Sequence, residues 1–400
     1  MSAAPLDVLI PADIRFPLQR ANGVQTVKTA AALARAGART RLLVRRSDPR
    51  PTPEVLALYG LDHADALEVR RLRVLHRAGA FALPRASFLI QALGGAVGWM
   101  RRGGLVFTRD LQLADLLLRL PGRRGPLVYE AHAVEALMYA ERGTLYGTGE
   151  RPRPRKAARL RAREGRVWRG ADGLVTTTAG IRDSFQEAFG PRLRVAVIPN
   201  GCDPPPPELP PASTEDPPRV LYAGQLYPWK GVDVLVEAMA RLPRGRLVIL
   251  GGLEGEPDLA RVRALVQARR LESRSEMPGS VPQARVREEL SRAAVVVVPV
   301  LRTAMTERHT SPLKAFEAMA AGRPLVASDL PSSREVMRED ETALLVAPGD
   351  AAALAAALQR VFDDPALARR LALAAWRESA AYSWDARAAR LRALFDELRP

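Results

Sequence analysis

The chain has 400 residues, too many for one ordinary hydrophobic core and a good length for two domains. Apolar residues make up 47% and aromatic residues 5%, which suits a globular Ala/Leu/Val-rich α/β protein. With one cysteine, Cys202, no internal disulfide can form, and the net charge of +16 makes polyanions the partner class to consider.

The opening MSAAPLDVLIPAD has no basic stretch ahead of its apolar run, which argues against a secretory signal. VLIPADI predicts the first strand, and in NGVQTVKTAAALARAGA the apolar spacing predicts a helix stopped by Gly37. TRLLVRR (40–46) reads as a second strand. ASFLIQALGGAVGWM (86–100) is too short and too glycine-rich for a membrane span and is expected to be a buried helix. VFTRD (106–110), LVYEAH (127–132), DGLVTTT (172–178) and LRVAVIPNGCD (193–203) add further strands with helix-like segments between them. Such β-then-α alternation predicts a parallel sheet covered on both faces.

Charge is unevenly placed. Residues 1–200 carry 33 Lys+Arg against 17 Asp+Glu, while residues 201–400 carry 27 of each. The densest part, RPRPRKAARLRAREGRVWR (151–169), holds nine basic residues and one acid. It is either a solvated arginine-rich surface or a contact for an anionic membrane surface; the lack of aromatic interleaving disfavours nucleic acid.

DPPPPELPPASTEDPPR (203–219), with eight prolines, reads as a stiff interdomain linker. The alternation then restarts with RVLYAG, VDVLVEAMARL, RLVILGG, AAVVVVPV, PLKAFEAMAAG, PLVASDL and ALLVA, and SWDARAARLRALFDEL (383–398) closes the chain as a helix. The expected organisation is an N-terminal Rossmann-like domain over 1–202, the linker at 203–219, a C-terminal Rossmann-like domain over 220–382, and a C-terminal helix over 383–400. Neither half has G-x-G-x-x-G between its first strand and helix, so a dinucleotide oxidoreductase is disfavoured. Two such domains leave a cleft at the carboxyl ends of their strands, where function is expected.

Two stretches of the second half carry the chemistry. In HTSPLKAFEAMAAGRP (309–324), Ser311 suits an N-cap, Pro312 the first helical position and Gly322 the stop. Free N–H groups and a positive dipole end make that helix mouth an anion site, and Lys314 and Glu317 share a face at i, i+3 spacing. The competing reading of the pair is a simple surface ion pair. In RVLYAGQLYPWKGVDVLVEAMARL (219–242), Gly224 permits close backbone approach and Lys230-Gly231 precedes an amphipathic helix. Only four of the sixty basic residues are lysines, and two of them, Lys230 and Lys314, fall here.

The pair AGQLYPWKGVDVLVEA and SPLKAFEAMAAGRPLVASDLPSSREV resembles the donor half of family 4 glycosyltransferases, and NGVQTVKTAAALARAG, VYEAH and VIPNGCD are similar to motifs of their first half. The resemblance covers nearly the whole chain. It implies a GT-B fold, with two doubly wound domains facing a central cleft and the last helix at the domain interface. It also implies a retaining transferase that uses a nucleotide-diphosphate sugar and no metal or other cofactor. By resemblance Lys230 contacts the donor phosphates, and Ser311, Pro312 and Leu313, next to His309 and Thr310, shape the helix-mouth site. Glu317 holds the ribose, Gly224 and Gln225 belong to the donor loop, and Gly279 lines the base pocket. Asn22 and Gly23 cover the donor, and His132 faces the reacting sugar.

Two positions depart from the pattern: Gln225 stands where the family has arginine, and His309 stands where it has the first of two glutamates. The expected acceptor is a cell-envelope glycan, a lipid-linked sugar or a small molecule, and the expected location is the cytoplasm or the inner face of the membrane. The alternatives are a sugar-nucleotide epimerase or hydrolase on the same fold, and a non-catalytic polyanion-binding protein with a decayed donor site. Asp13 and Arg109 are weaker site candidates, and His63 and His76 are expected at the surface.

Overall fold

The computed structural model describes residues 6–18, 20–61, 67–75, 77–78 and 81–399; His63 and His76 lie outside them. The chain forms two compact units. The first comprises Met1–Ala136, Arg153–Pro199 and Trp384–Pro400, and the second Leu137–Pro152 and Asn200–Ser383.

The first unit is built on a seven-stranded parallel sheet: β1 (Asp7–Phe16), β2 (Arg39–Arg46), β3 (Leu67–Leu72), β4 (Leu105–Thr108), β5 (Leu127–Ala131), β6 (Gly173–Thr176) and β7 (Val195–Val197). Their order is β3-β2-β1-β4-β5-β6-β7. Every residue of β4, β5 and β6 is buried, as expected of parallel strands with helices on both faces. β1 is irregular. Its register against β2 slips between Pro11 and Arg15, and the bulge turns Ala12–Ile14 out of the regular ladder at the carboxyl end of the strand.

The second unit has a six-stranded parallel sheet: β8 (Arg219–Ala223), β9 (Arg246–Leu250), β10 (Ser275–Gly279), β11 (Val295–Val298), β12 (Leu325–Ser328) and β13 (Leu344–Val346), ordered β10-β9-β8-β11-β12-β13. Both orders are of the doubly wound type, which puts ligand sites beyond the carboxyl ends of the strands near the central reversal.

Three expectations change. The helix Pro84–Arg101 is covered on one face only: Phe88, Leu89, Ala92, Ala96, Trp99 and Met100 are buried, but Ile90 is exposed. No described helix is long and apolar enough to cross a membrane. The proline-rich segment is not a free spacer, since it packs along the second unit. Leu209 and Pro210 lie against Gly322, Ser213 Oγ donates to Arg292 O at 2.6 Å, and Glu215 pairs with Arg292 at 2.7 Å. Residues 137–152, read from the sequence as part of the first half, belong to the second unit. There the Glu141 carboxylate accepts the N–H groups of Ala304 and Met305 at 3.2 and 3.0 Å.

Candidate active site

In the second unit, β8 runs straight into Gly224, whose N–H donates to Leu250 O at 2.8 Å. A Cβ on the neighbouring Gly251 would lie 1.7 Å from Gly224 O, so the two turns can approach this closely only with glycine at 251. The Gln225 carbonyl accepts the Tyr222 hydroxyl at 2.5 Å, and its Oε1 is buried with no hydrogen-bond partner among the described residues. A short turn, Pro228–Lys230, then leads to Gly231 at φ +71°, where a Cβ would meet Pro299 O at 1.8 Å. Gly231 thus seats the turn against the end of β11 and fixes Lys230.

Lys230 Nζ stands 3.8 Å from the centroid of the Trp229 ring. Among the described residues no carboxylate lies within ion-pair distance of it. Burial pushes its ammonium down to about 8. A desolvated cation held by an aromatic face and left without a counter-ion is costly unless an anion joins it.

The second loop follows β11. Thr303 and Thr306 form a capping box that starts the helix Ala304–His309. Burial, then the Arg308 charge, push the His309 imidazole down to about 4, so it is neutral at pH 7. Thr310 is buried and its Oγ1 has no partner among the described residues. The helix Leu313–Ala320 begins one residue later than expected: Pro312, not Ser311, is its N-cap, and no side chain caps it. Ser311 is occupied elsewhere. Its Oγ accepts Asn200 N–H at 3.1 Å and its carbonyl accepts Asn200 Nδ2 at 2.8 Å, which ties the IPNG turn to the helix mouth. Lys314 Nζ and Glu317 Oε2 pair at 2.6 Å. Gly322, at φ +61°, stops the helix as expected. Gly279 ends β10 at φ +79°, and its carbonyl accepts Gly251 N–H at 2.8 Å, beside the Gly224 turn. Arg302, between β11 and the helix Ala304–His309, is paired with Glu307.

In the first unit, Gly23 opens the helix Ala21–Arg35, and a Cβ there would lie 1.9 Å from Leu18 O. Asn22 O accepts Thr26 Oγ1 at 2.8 Å. His132 follows β5 directly. Its Nε2 is 3.3 Å from Glu130 Oε2, close enough for an ion pair but not aligned for a hydrogen bond. Burial, then the charge of Arg109, push the imidazole down to about 4 against the pull of Glu130, so His132 too is neutral at pH 7.

Glu130 is the hub of a polar network. It accepts Gln25 Nε2 at 3.2 and 3.3 Å and pairs with Arg387, which is fully buried on the last helix, Trp384–Glu397. Burial alone would raise the Glu130 carboxyl, but Arg387, His132 and Arg109 outweigh it and hold it well below the usual carboxylate range. Arg109 joins by donating to Gln25 Oε1 at 3.0 Å. Asp13, on the bulge of β1, is held by Arg45 and Arg85 and is structural.

Two doubly wound units, each with polar residues gathered at strand ends, are the units of a GT-B type fold. Residues 210–377 match the model "Glycosyl transferases group 1", and residues 22–201 match "Glycosyl transferase 4-like domain". Glycogen synthase of Mycobacterium tuberculosis is 32% identical over 309 residues, covering 74% of this chain and 68% of that one. D-inositol 3-phosphate glycosyltransferase of Xylanimonas cellulosilytica is 29% identical over 394 residues, covering 92% and 89%. Among solved structures, Anabaena HepE in complex with UDP-glucose superposes with a TM-score of 0.71 at 17% identity, over 98% of this chain and 100% of that one. The chain belongs to the family 4, group 1 glycosyltransferases, and it is a glycosyltransferase of GT-B fold.

Proposed function

We propose that the protein transfers a sugar, with retention at the anomeric carbon, from a nucleotide-diphosphate sugar to a hydroxyl of a glycan, a lipid-linked sugar or a small molecule. The observation that carries this reading is Lys230: a half-buried ammonium, with no carboxylate within ion-pair distance among the described residues, beside a glycine turn at the end of β8. HepE, solved with UDP-glucose, shares the fold and supports a nucleotide-sugar donor.

In this reading Lys230 and Lys314 meet the diphosphate, and the uncapped first turn of Leu313–Ala320 adds its N–H groups and its dipole. Glu317, released from Lys314 as phosphate replaces it, accepts from the ribose hydroxyls, and Gly279 leaves room for the base. His309 and Thr310 offer the sugar neutral partners where the family pattern has a carboxylate. Asn22, Gly23 and the neutral His132 are assigned the roles that the family pattern gives them. The bond from the anomeric carbon to the diphosphate oxygen breaks, and a new one forms to the acceptor oxygen on the same face. The products are glycosylated acceptor, nucleoside diphosphate and the hydroxyl's proton. Charge grows on the leaving oxygen as the bond lengthens, and each pre-oriented cation or N–H contributes about 2–4 kcal/mol there.

The test is release of nucleoside diphosphate from UDP-, GDP-, ADP- and dTDP-sugars, with and without candidate acceptors. Acceptor-dependent release from one nucleotide class supports transfer. Equal release without any acceptor indicates a hydrolase, and no release from any donor removes the catalytic reading.

A further inference from the structure

The basic segment at 151–169 folds as the helix Pro154–Gly170. Lys156, Arg159, Leu160 and Arg163 follow one another at i, i+3, i+4 and i+7, so they share a face, and all four line a cavity of about 500 Å³ in the first unit. The opposite wall comes from the β1 bulge and from Arg109 and Asp110 after β4. That volume suits a small polar molecule or headgroup.

The cavity is over-supplied with positive charge. Arg85 is neutralised by Asp13 and Asp110, at 2.6 and 2.5 Å. Arg163 shares the single carboxylate of Asp115 with Arg119 and Arg166, so three guanidiniums compete for one acid. Arg159 has no carboxylate within ion-pair distance among the described residues. The remaining acid of the lining is Glu135, whose carboxyl is pushed up by burial and then by Asp110.

A concave site mixing planar guanidinium forks with a compact ammonium favours a small, multiply charged anion over a lone carboxylate. A nucleic-acid strand would need exposed aromatic rings to stack on, and the helix offers only Trp168, which is buried. The cavity also connects to chemistry. Arg109 lines it and donates to Gln25, which in turn donates to Glu130 beside His132.

We infer that this cavity binds a phosphoryl group carried by the acceptor, with Lys156, Arg159 and Arg163 as its recognition face. The inference rests on the transferase reading above and names its acceptor class. The phosphoryl group belongs either to a soluble phosphate ester or to a phospholipid headgroup. The chemistry is common to both, and a lipid headgroup would bring the chain to a membrane through a pocket rather than a flat basic surface.

The experiment titrates inorganic phosphate into the full chain by calorimetry, using wild type, Lys156→Ala/Arg159→Ala, Arg159→Lys and Lys230→Ala. A parallel arm floats the same proteins with phosphatidylcholine vesicles, with and without phosphatidylinositol 4-phosphate. The expected result is phosphate binding that weakens about tenfold or more in the double variant, is partly kept in Arg159→Lys, and survives Lys230→Ala. If flotation also requires phosphatidylinositol 4-phosphate and Lys156/Arg159, and phosphate competes it away, the source is a lipid headgroup. If phosphate binds and vesicles do not, it is a soluble ester. Absence of phosphate binding, or binding lost in Lys230→Ala but intact in the double variant, overturns the inference. Nucleotide binding measured on the same proteins separates the two readings, because a failed donor site leaves the phosphate arm unaffected.

Discussion

Arg387 and Glu130, 257 residues apart, form an ion pair in which both side chains are almost wholly buried. The arginine is fully used. It also donates to the carbonyls of Ile198 and Pro199 at 2.7 and 2.6 Å and to Thr29 Oγ1 at 3.3 Å. One guanidinium therefore ties the last helix, the first helix, the strand end before the IPNG turn and the carboxylate beside His132 into one polar cluster. Arg387→Ala leaves the Glu130 charge without its strongest partner. The expected cost is about 3–5 kcal/mol, read from the denaturant midpoint, with Arg387→Lys falling between, since an ammonium cannot span four acceptors in a plane.

Lys230 predicts a pH dependence of donor binding. Its ammonium is pushed down to about 8 in the folded chain, so the cation proposed to meet the diphosphate is lost as pH rises through that value. Nucleoside diphosphate affinity is expected to be flat below pH 7.5 and to weaken by about tenfold per unit above pH 8. Lys230→Ala should weaken binding by about tenfold to a hundredfold and remove the pH dependence. Calorimetric titration at several pH values reads both.

Glu317 makes a different kind of prediction. Its pairing with Lys314 is a partly exposed i, i+3 contact, so Glu317→Ala should change the stability of the free protein by about 0.5 kcal/mol or less. Affinity for a nucleoside diphosphate should nonetheless fall by about tenfold or more, because the ribose loses its acceptor. Affinity unchanged in Glu317→Ala would reduce the pair to a surface ion pair.

His309 should make the second unit sensitive to acid. Its imidazole titrates near 4 when folded but near 6.5 when unfolded. Between those values the unfolded chain binds a proton that the native chain does not, so stability falls as pH is lowered through that window. The contribution is about 2 kcal/mol between pH 7 and pH 5. Urea unfolding at both values should show a smaller loss in His309→Gln.

Gly231→Ala tests the turn that seats Lys230. The added methyl meets Pro299 O at 1.8 Å, on a residue whose φ of +71° already disfavours a side chain. A loss of about 2 kcal/mol or more is expected, together with weakened nucleotide binding. Thermal unfolding with and without nucleotide separates the two.

The interior strands were legible because each is buried on both faces and so reads as an unbroken apolar run: LLV in β2, VVVV in β11, LVA in β12. The edge strands β3 and β10 were missed. LEVRRL and SEMPG have a neighbour on one side only and carry too little apolar surface to stand out. The helix Ala304–His309 was not among the expected elements, although Thr303 and Thr306, the ends of its capping box, were in plain view. The Lys230-Gly231 turn and the helix stop at Gly322 were legible, because a turn or a helix end is written in a few adjacent residues. Local chemistry misjudged Ser311, whose hydroxyl is claimed by Asn200 from 111 positions away. Nothing near Glu130 announced Arg387. A buried ion pair across the length of a chain leaves no pattern in either neighbourhood.

The measurement that tests the central claim most directly is the thermal unfolding of wild type, Lys230→Ala and Glu317→Ala against UDP, GDP, ADP and dTDP and their sugars. At a hundred times its dissociation constant, a bound donor stabilises the unit that holds it by about 2.7 kcal/mol, a shift of several degrees. The account predicts that one nucleotide class raises the melting temperature of wild type and raises that of both variants much less. If every nucleotide leaves wild type unmoved at millimolar concentration, or shifts wild type and Lys230→Ala alike, the second unit does not hold a donor through this lysine and the account is contradicted.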